Sequence, residues 1–245
     1  MSSHLLRQLF GARLTIALVL IWLMAELIRS SVFPQSDAFY MCLGLSRGGL
    51  QSLFLWQPLT YAFVHGGWVH LLMNQLLILI LGMRLEWMLG RRSLAWLLLG
   101  GMLAGGVLYL CLNWNFERAA SGWNILVGGS GAVFAALLCM TTLSPESRWW
   151  VPFPLSAKNL GRGLMLSFLI LILIDPGLGV PFLSQLGVAL VDAGWGDLFR
   201  ISHACHLGGA LAGWSFARWT LRHRVTLASL RRDRAALEAR RRING

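Results

Sequence analysis

Charge is scarce in this sequence. Lysine, arginine, aspartate and glutamate together make up 13% of 245 residues, about half of what a soluble domain of this size carries. That shortage excludes an ordinary enzyme with a water-facing shell. Acidic residues are the rarer sign, 10 against 21 basic ones, for a net charge of +11. The four cysteines, Cys42, Cys111, Cys139 and Cys205, are scattered and form no C-x-x-C pair, which removes a zinc ribbon and a dithiol redox motif. Cys139 and Cys205 fall in apolar runs and read as packing residues. There is no internal repeat, no low-complexity tract and no soluble second domain. A transporter's repeat symmetry and paired broken helices are missing with them.

Hydrophobic residues are abundant instead, at 56% of the chain with 12 tryptophans, 12 phenylalanines and a mean hydropathy of +0.63. Apolar runs recur near 14–28, 69–83, 94–112, 131–143, 163–174 and 203–217, several of them approaching the ~20 residues that cross a bilayer. The expected fold is an all-α polytopic membrane protein with six transmembrane helices. Its membrane domain covers 1–220, and a basic cytoplasmic tail covers 221–245. The first run follows Arg7 and Arg13, and the stretch after it, "MAELIRSSVFP", offers no small-x-small cleavage site. It reads as an uncleaved span.

The distribution of the positive charge decides against a nucleic-acid partner. With six spans and an inside N-terminus, Arg7, Arg13, Arg84, Arg91, Arg92, Arg148, Lys158, Arg162 and the arginine-rich tail fall inside. Arg29, Arg47, Arg118 and Arg200 fall outside, the asymmetry that sets topology. Both termini are therefore expected in the cytoplasm and the first loop, about 30–57, outside. The tail reads either as a solvated topology anchor or as a basic helix on anionic lipid.

Polar side chains inside apolar spans are costly, so each one points to function or to a buried hydrogen bond. His70 and Asn74 are four residues apart in "HGGWVHLLMN" and share a helix face, with His65 just ahead of them. Ser130 opens the fourth run within "VGGSGAVFAA", and His206 stands in the sixth within "HLGGALAG". Small residues also serve close helix packing, which is the alternative reading of the glycines around Ser130. Depth favours chemistry. Ser130 to Leu143 makes a helix of about 21 Å, too short for about 30 Å of hydrocarbon. Ser130 is therefore expected at the floor of a wet cavity, on the order of 10 Å below the outer face, with the non-helical "NILVGG" above it. Such backbone is tolerated at that depth only when it is buried in protein or lines water. Free amides at the helix start would face a developing oxyanion. Gly131 and Ala135 on one span, with Gly209 and Gly213 on another, would let His206 approach Ser130.

At these residues the sequence resembles the rhomboid intramembrane serine proteases, over nearly its whole length. The motifs are H-x(4)-H-x(3)-N from His65, G-x-S-G around Ser130 and H-x-x-G-x-x-x-G from His206. The resemblance implies a serine and histidine dyad without aspartate, Ser130 as nucleophile and His206 as general base and then acid. It implies an oxyanion hole of His70, Asn74 and the Ser130 amide. It further implies that His65, Gly128, Gly129 and Phe134 shape the cavity and that Glu86 is structural. No metal and no cofactor are implied. The substrates implied are transmembrane proteins cut near the outer end of the segment, in a bacterial inner membrane. Two departures stand out: Trp56-Gln57 replaces the Trp-Arg of many bacterial members, which puts the first loop's hydrogen bonds in question, and Phe134 replaces a tyrosine.

Three rival readings are weaker. "GWGD" at 194–197 with Asp175 fits an aspartyl intramembrane protease, but both acids fall in what reads as a loop. His203-x-x-His206 lacks the acidic base and third ligand of a metalloprotease. A catalytically silent rhomboid-like protein that binds membrane clients would have lost Ser130 or His206, and both are present.

Overall fold

The computed structural model describes residues 11–33, 37–113, 125–151 and 153–222. Arg7, Arg118, Asn124 and the basic tail from 223 onward lie outside the described residues, as does 34–36 of the expected first loop. Helix dominates. In chain order the described residues form α1 (Arg13–Val32), three short helices α2 (Asp37–Leu43), α3 (Arg47–Gln51) and α4 (Gln57–Thr60), then α5 (Trp68–Leu89), α6 (Arg91–Asn113) and α7 (Ser130–Leu143). A two-stranded antiparallel hairpin, β1 (Arg148–Val151) and β2 (Phe153–Ser156), leads into α8 (Ala157–Leu173). After α9 (Leu183–Leu190) the described chain closes with α10 (His203–Arg222).

Among the described residues three helices, α1, α5 and α6, are long and apolar enough to cross a membrane, with 20, 22 and 23 residues. The other large helices fall short of them in length or in apolarity. α7 is the instructive one. It has 14 residues and buries nearly all of them, as a helix apolar on every side does when it forms the centre of a bundle. It packs against α6, α10, α5 and α8. Leu97, Val133, Ala136, Met140 and Ala210 belong to the single core that results.

A carboxylate fastens α1 to α5. The first turn of α1 has no side-chain cap of its own, and Glu86 near the end of α5 takes that place. It accepts hydrogen bonds from Leu14 N at 3.0 Å, Thr15 N at 2.9 Å and Thr15 Oγ1 at 2.8 Å. The charge sits where the positive end of the α1 dipole favours it.

The segment between α1 and α5 departs from the expected loop in two ways. α1 runs on to Val32, beyond the expected boundary near 30, because Phe33 N still bonds Arg29 O at 3.0 Å. The hydrogen bonds placed in question by Gln57 are also present. Gln57 is fully buried. Its Nε2 donates to Met41 O at 2.7 Å and its Oε1 accepts from Ser46 N at 3.1 Å. Trp56 Nε1 adds a bond to Cys42 O at 2.8 Å, and Thr60 Oγ1 one to Leu43 O at 2.7 Å. At the other end α10 extends to Arg222, two residues past the expected domain edge. The loop expected between 174 and 203 holds α9 and flanking single turns.

Candidate active site

Ser130 is the first residue of α7, and the two glycines before it are there for distinct reasons. Gly128 has φ +108°, and a side chain on it would run into the His70 ring, with a Cβ only 2.5 Å from Cε1. Gly129 lies against the six-membered ring of Trp22, which leaves no room for a Cβ. The strand-like approach is held from both sides. Leu126 exchanges hydrogen bonds with Leu45 at 2.8 and 2.9 Å, and Gly128 N bonds Tyr61 O at 2.9 Å. The intrahelical ladder starts with Val133 N to Gly129 O at 3.1 Å. The Ser130 amide therefore lies outside it, at the positive end of α7.

α10 reaches Ser130 because glycines remove the distance between helices. A Cβ on Gly209 would strike the Gly131 carbonyl, and one on Gly213 the Ala135 carbonyl. The backbones touch. Gly208 meets α6 in the same way, at the Ala104 carbonyl, 2.5 Å from a built Cβ. With the helices this close, His206 Nε2 lies 2.9 Å from Ser130 Oγ, and both residues are buried. The hydroxyl can donate to the imidazole nitrogen, which is the geometry of an activated nucleophile and its base.

Rings fix the imidazole. Phe134, one turn along α7, packs on His206 at 4.4 Å between centroids, and Phe168 of α8 packs on both, at 4.8 Å from Phe134 and 5.3 Å from His206. Phe168 carried no signal in the sequence, because one phenylalanine in an apolar helix looks like any other. His203 faces elsewhere. Its Nε2 is 2.6 Å from Leu198 O, so the two histidines of His203-x-x-His206 engage different partners through the same ring atom.

His65, His70 and Asn74 stand on the other side of the Gly128 approach. His70 and Asn74 lie one turn apart on α5. The His70 ring is edge-on to His65 at 5.2 Å, and Nδ1 accepts a long hydrogen bond from Gly66 N at 3.4 Å. His65 is edge-on to Trp22 at 5.2 Å. This side is short of partners. Among the described residues Asn74 Nδ2, Trp22 Nε1 and both ring nitrogens of His65 are buried without a well-formed hydrogen bond, the kind of exception that calls for an explanation. Trp22 was missed in the sequence. Glu26, one turn further along α1, was missed too; an acid inside an apolar run was its signal. It holds Arg29 through two bonds, at 2.7 and 3.1 Å.

The acids of the rival reading are not a pair in like surroundings. Asp175 is buried and its Oδ1 accepts from Gly177 N at 2.9 Å, whereas Asp197 is exposed and pairs with Arg200 at 3.1 Å.

A sequence profile of the Rhomboid domain matches residues 52–223. RHOMBOID-like protein 5 of Arabidopsis thaliana is 31% identical over 159 residues, which cover 64% of this chain and 41% of that protein. RHOMBOID-like protein 4 of the same plant is 43% identical over 84 residues, 34% of this chain and 19% of that protein. The chain thus spans less than half the length of these relatives.

Proposed function

This chain belongs to the rhomboid family, and on that premise we propose that it is an intramembrane serine endopeptidase that cuts the transmembrane segments of membrane-anchored proteins. The observation that carries the reading is the 2.9 Å contact between Ser130 Oγ and His206 Nε2. In the proposed reaction Ser130 Oγ attacks the scissile carbonyl while His206 Nε2 takes its proton. The negative oxygen that forms is met by the Ser130 amide, Asn74 Nδ2 and His70. His206 then returns the proton to the departing amine, which leaves an acyl ester on Ser130. Water, deprotonated by the same nitrogen, releases the second product and restores the hydroxyl.

The remaining residues have supporting roles in this reading. Phe134 packs at a tilt on the imidazole and holds it in place, Gly128 and Gly129 give the approaching backbone room, and His65 lines the cavity. The fold is read as six spans in one domain, 1–220, with the first outer loop at about 30–57, a cytoplasmic tail at 221–245 and a cavity that opens outward. Both termini are assigned to the cytoplasm by the arginine asymmetry. The bilayer is taken as a bacterial inner membrane from the resemblance to six-span bacterial members, although the relatives named above are plant proteins. The tail is read either as a solvated topology anchor or as a basic segment on anionic lipid. No cofactor and no nucleic acid enters the scheme.

The deciding experiment is cleavage of a model transmembrane substrate in liposomes by the purified chain, with N-terminal sequencing of the product. The expected result is one cut near the outer end of the segment, lost in Ser130→Ala. Binding of the substrate with no cut at all would return the chain to the silent, client-binding reading.

A further inference from the structure

We propose that residues 177–195, between α8 and α10, form an interfacial anchor that lies in the membrane leaflet at the Ser130 end of the bundle. The surface of this segment is the first reason. No aspartate, glutamate, lysine or arginine occurs from Pro176 to Val191. Its apolar side chains face outward nonetheless: Phe182 is 83% exposed, Leu186 54% and Trp195 60%. Phe182 sits ahead of α9 with φ +63°, a conformation that bulky residues rarely adopt.

Attachment is the second reason. Gly187 is the one buried residue of α9, and it lies against the Ile174 carbonyl at the end of α8 with no space for a Cβ. The element is pinned at that point and presents the rest of itself to its surroundings. Order along the chain is the third. The uncharged stretch is followed by Asp192, then by Trp195, then by the Asp197–Arg200 pair at 3.1 Å, whose side chains are 87% and 80% exposed. Apolar residues, then an exposed acid with a tryptophan beside it, then an exposed ion pair is the profile of a segment that passes from acyl chains through headgroups into water.

Lipid is the occupant that fits, because the exposed apolar side of α8, with Leu166, Leu169, Ile170 and Leu173, runs on directly into this segment. The anchor is also tied to the site. Leu198 O bonds the His203 ring at 2.6 Å, and His203 begins the helix that carries His206. The depth of the segment therefore bears on the first turn of α10. The inference rests on the six-span reading of the fold and does not depend on peptidase activity.

Site-directed spin labelling of the full chain in phosphatidylethanolamine and phosphatidylglycerol vesicles tests it. Cys42 and Cys111, the exposed cysteines, are first replaced by serine. Labels are then placed singly through Phe182→Cys and Leu186→Cys, with Leu169→Cys as the control within a span and Asp197→Cys as the control in water. The expected result is collision with oxygen severalfold more frequent than with a water-soluble nickel chelate at 182, 186 and 169, and the reverse at 197. Nickel access at 182 and 186 with an oxygen-rich 169 overturns the anchor. Protection of 182 and 186 from both reagents also overturns it and points to cover by a second copy or another protein. Nickel access at 169 removes α8 from the bilayer, and the anchor falls with the six-span reading.

Discussion

The two halves of the candidate site are built on opposite terms. On the Ser130 side, helices α6, α7 and α10 meet backbone to backbone through Gly208, Gly209 and Gly213, and the hydroxyl and imidazole already face each other at 2.9 Å. On the α1 and α5 side, Asn74 Nδ2 and Trp22 Nε1 are buried with no partner among the described residues. An unpaired buried donor costs about 1–3 kcal/mol, so a fold that keeps donors unpaired gains something from them elsewhere. In the proposed reaction a negative oxygen appears only in the transition state. Donors with nothing to hold in the ground state are the ones that discriminate between the two. In that proposed scheme one half is finished before a substrate arrives, and the other is completed by the reaction.

That contrast can be broken by mutation. On the finished side, Ser130→Ala and His206→Ala should each reduce cleavage to background and abolish labelling by a fluorophosphonate probe, with thermal stability unchanged. Labelling that persists in Ser130→Ala would place the nucleophile elsewhere. On the waiting side, Asn74→Ala should lower kcat by roughly 10²-fold to 10³-fold or less, since the remaining donors compensate in part. Ser130 should still take the probe, because the dyad does not depend on the amide. Equal loss of labelling and turnover would erase the distinction between the halves.

Gly213→Ala addresses packing apart from chemistry. Its Cβ would strike the Ala135 carbonyl, and such overpacking costs about 1–3 kcal/mol. A lower unfolding temperature is expected, with activity reduced only as far as the folded fraction. Gly163→Ala, where nothing lies within 4 Å of the added Cβ, is the control, with an unfolding temperature unchanged or slightly raised by the better helix former. The smallest effect belongs to His203→Ala. The ring bonds Leu198 O rather than Ser130, so turnover should change by no more than a few-fold. A dead His203→Ala beside an active His206→Ala would reverse the assignment of the base.

The candidate site of this chain stands out in the sequence more than its scaffolding does, for a physical reason. Ser130, His70, Asn74 and His206 interrupt apolar runs where polar groups are expensive, so each stands out against its neighbours. Gly209 and Gly213 were readable as well, since small residues four apart mark close helix contacts. The hairpin at Arg148–Ser156 and helix α9 were not. Both are short, and neither has an apolar run long enough or a period clear enough to separate it from a loop. Trp22 and Phe168 were hidden for the opposite reason: aromatic residues in apolar helices are common, and only the packing shows which ones touch a histidine.

Gln57 carries a consequence for how this sequence can change. A primary amide both gives and takes hydrogen bonds, and here it does both, donating to Met41 O and accepting from Ser46 N. A guanidinium can only give. Exchange of Gln57 for arginine would leave Ser46 N without its acceptor. It would also press a longer side chain into the space kept open by Gly49, which lies directly against the Gln57 amide. Neither position is free to vary alone. An exchange at 57 is therefore tolerated only together with a change in the backbone around Ser46 and Gly49, which makes the three positions one unit rather than three independent ones.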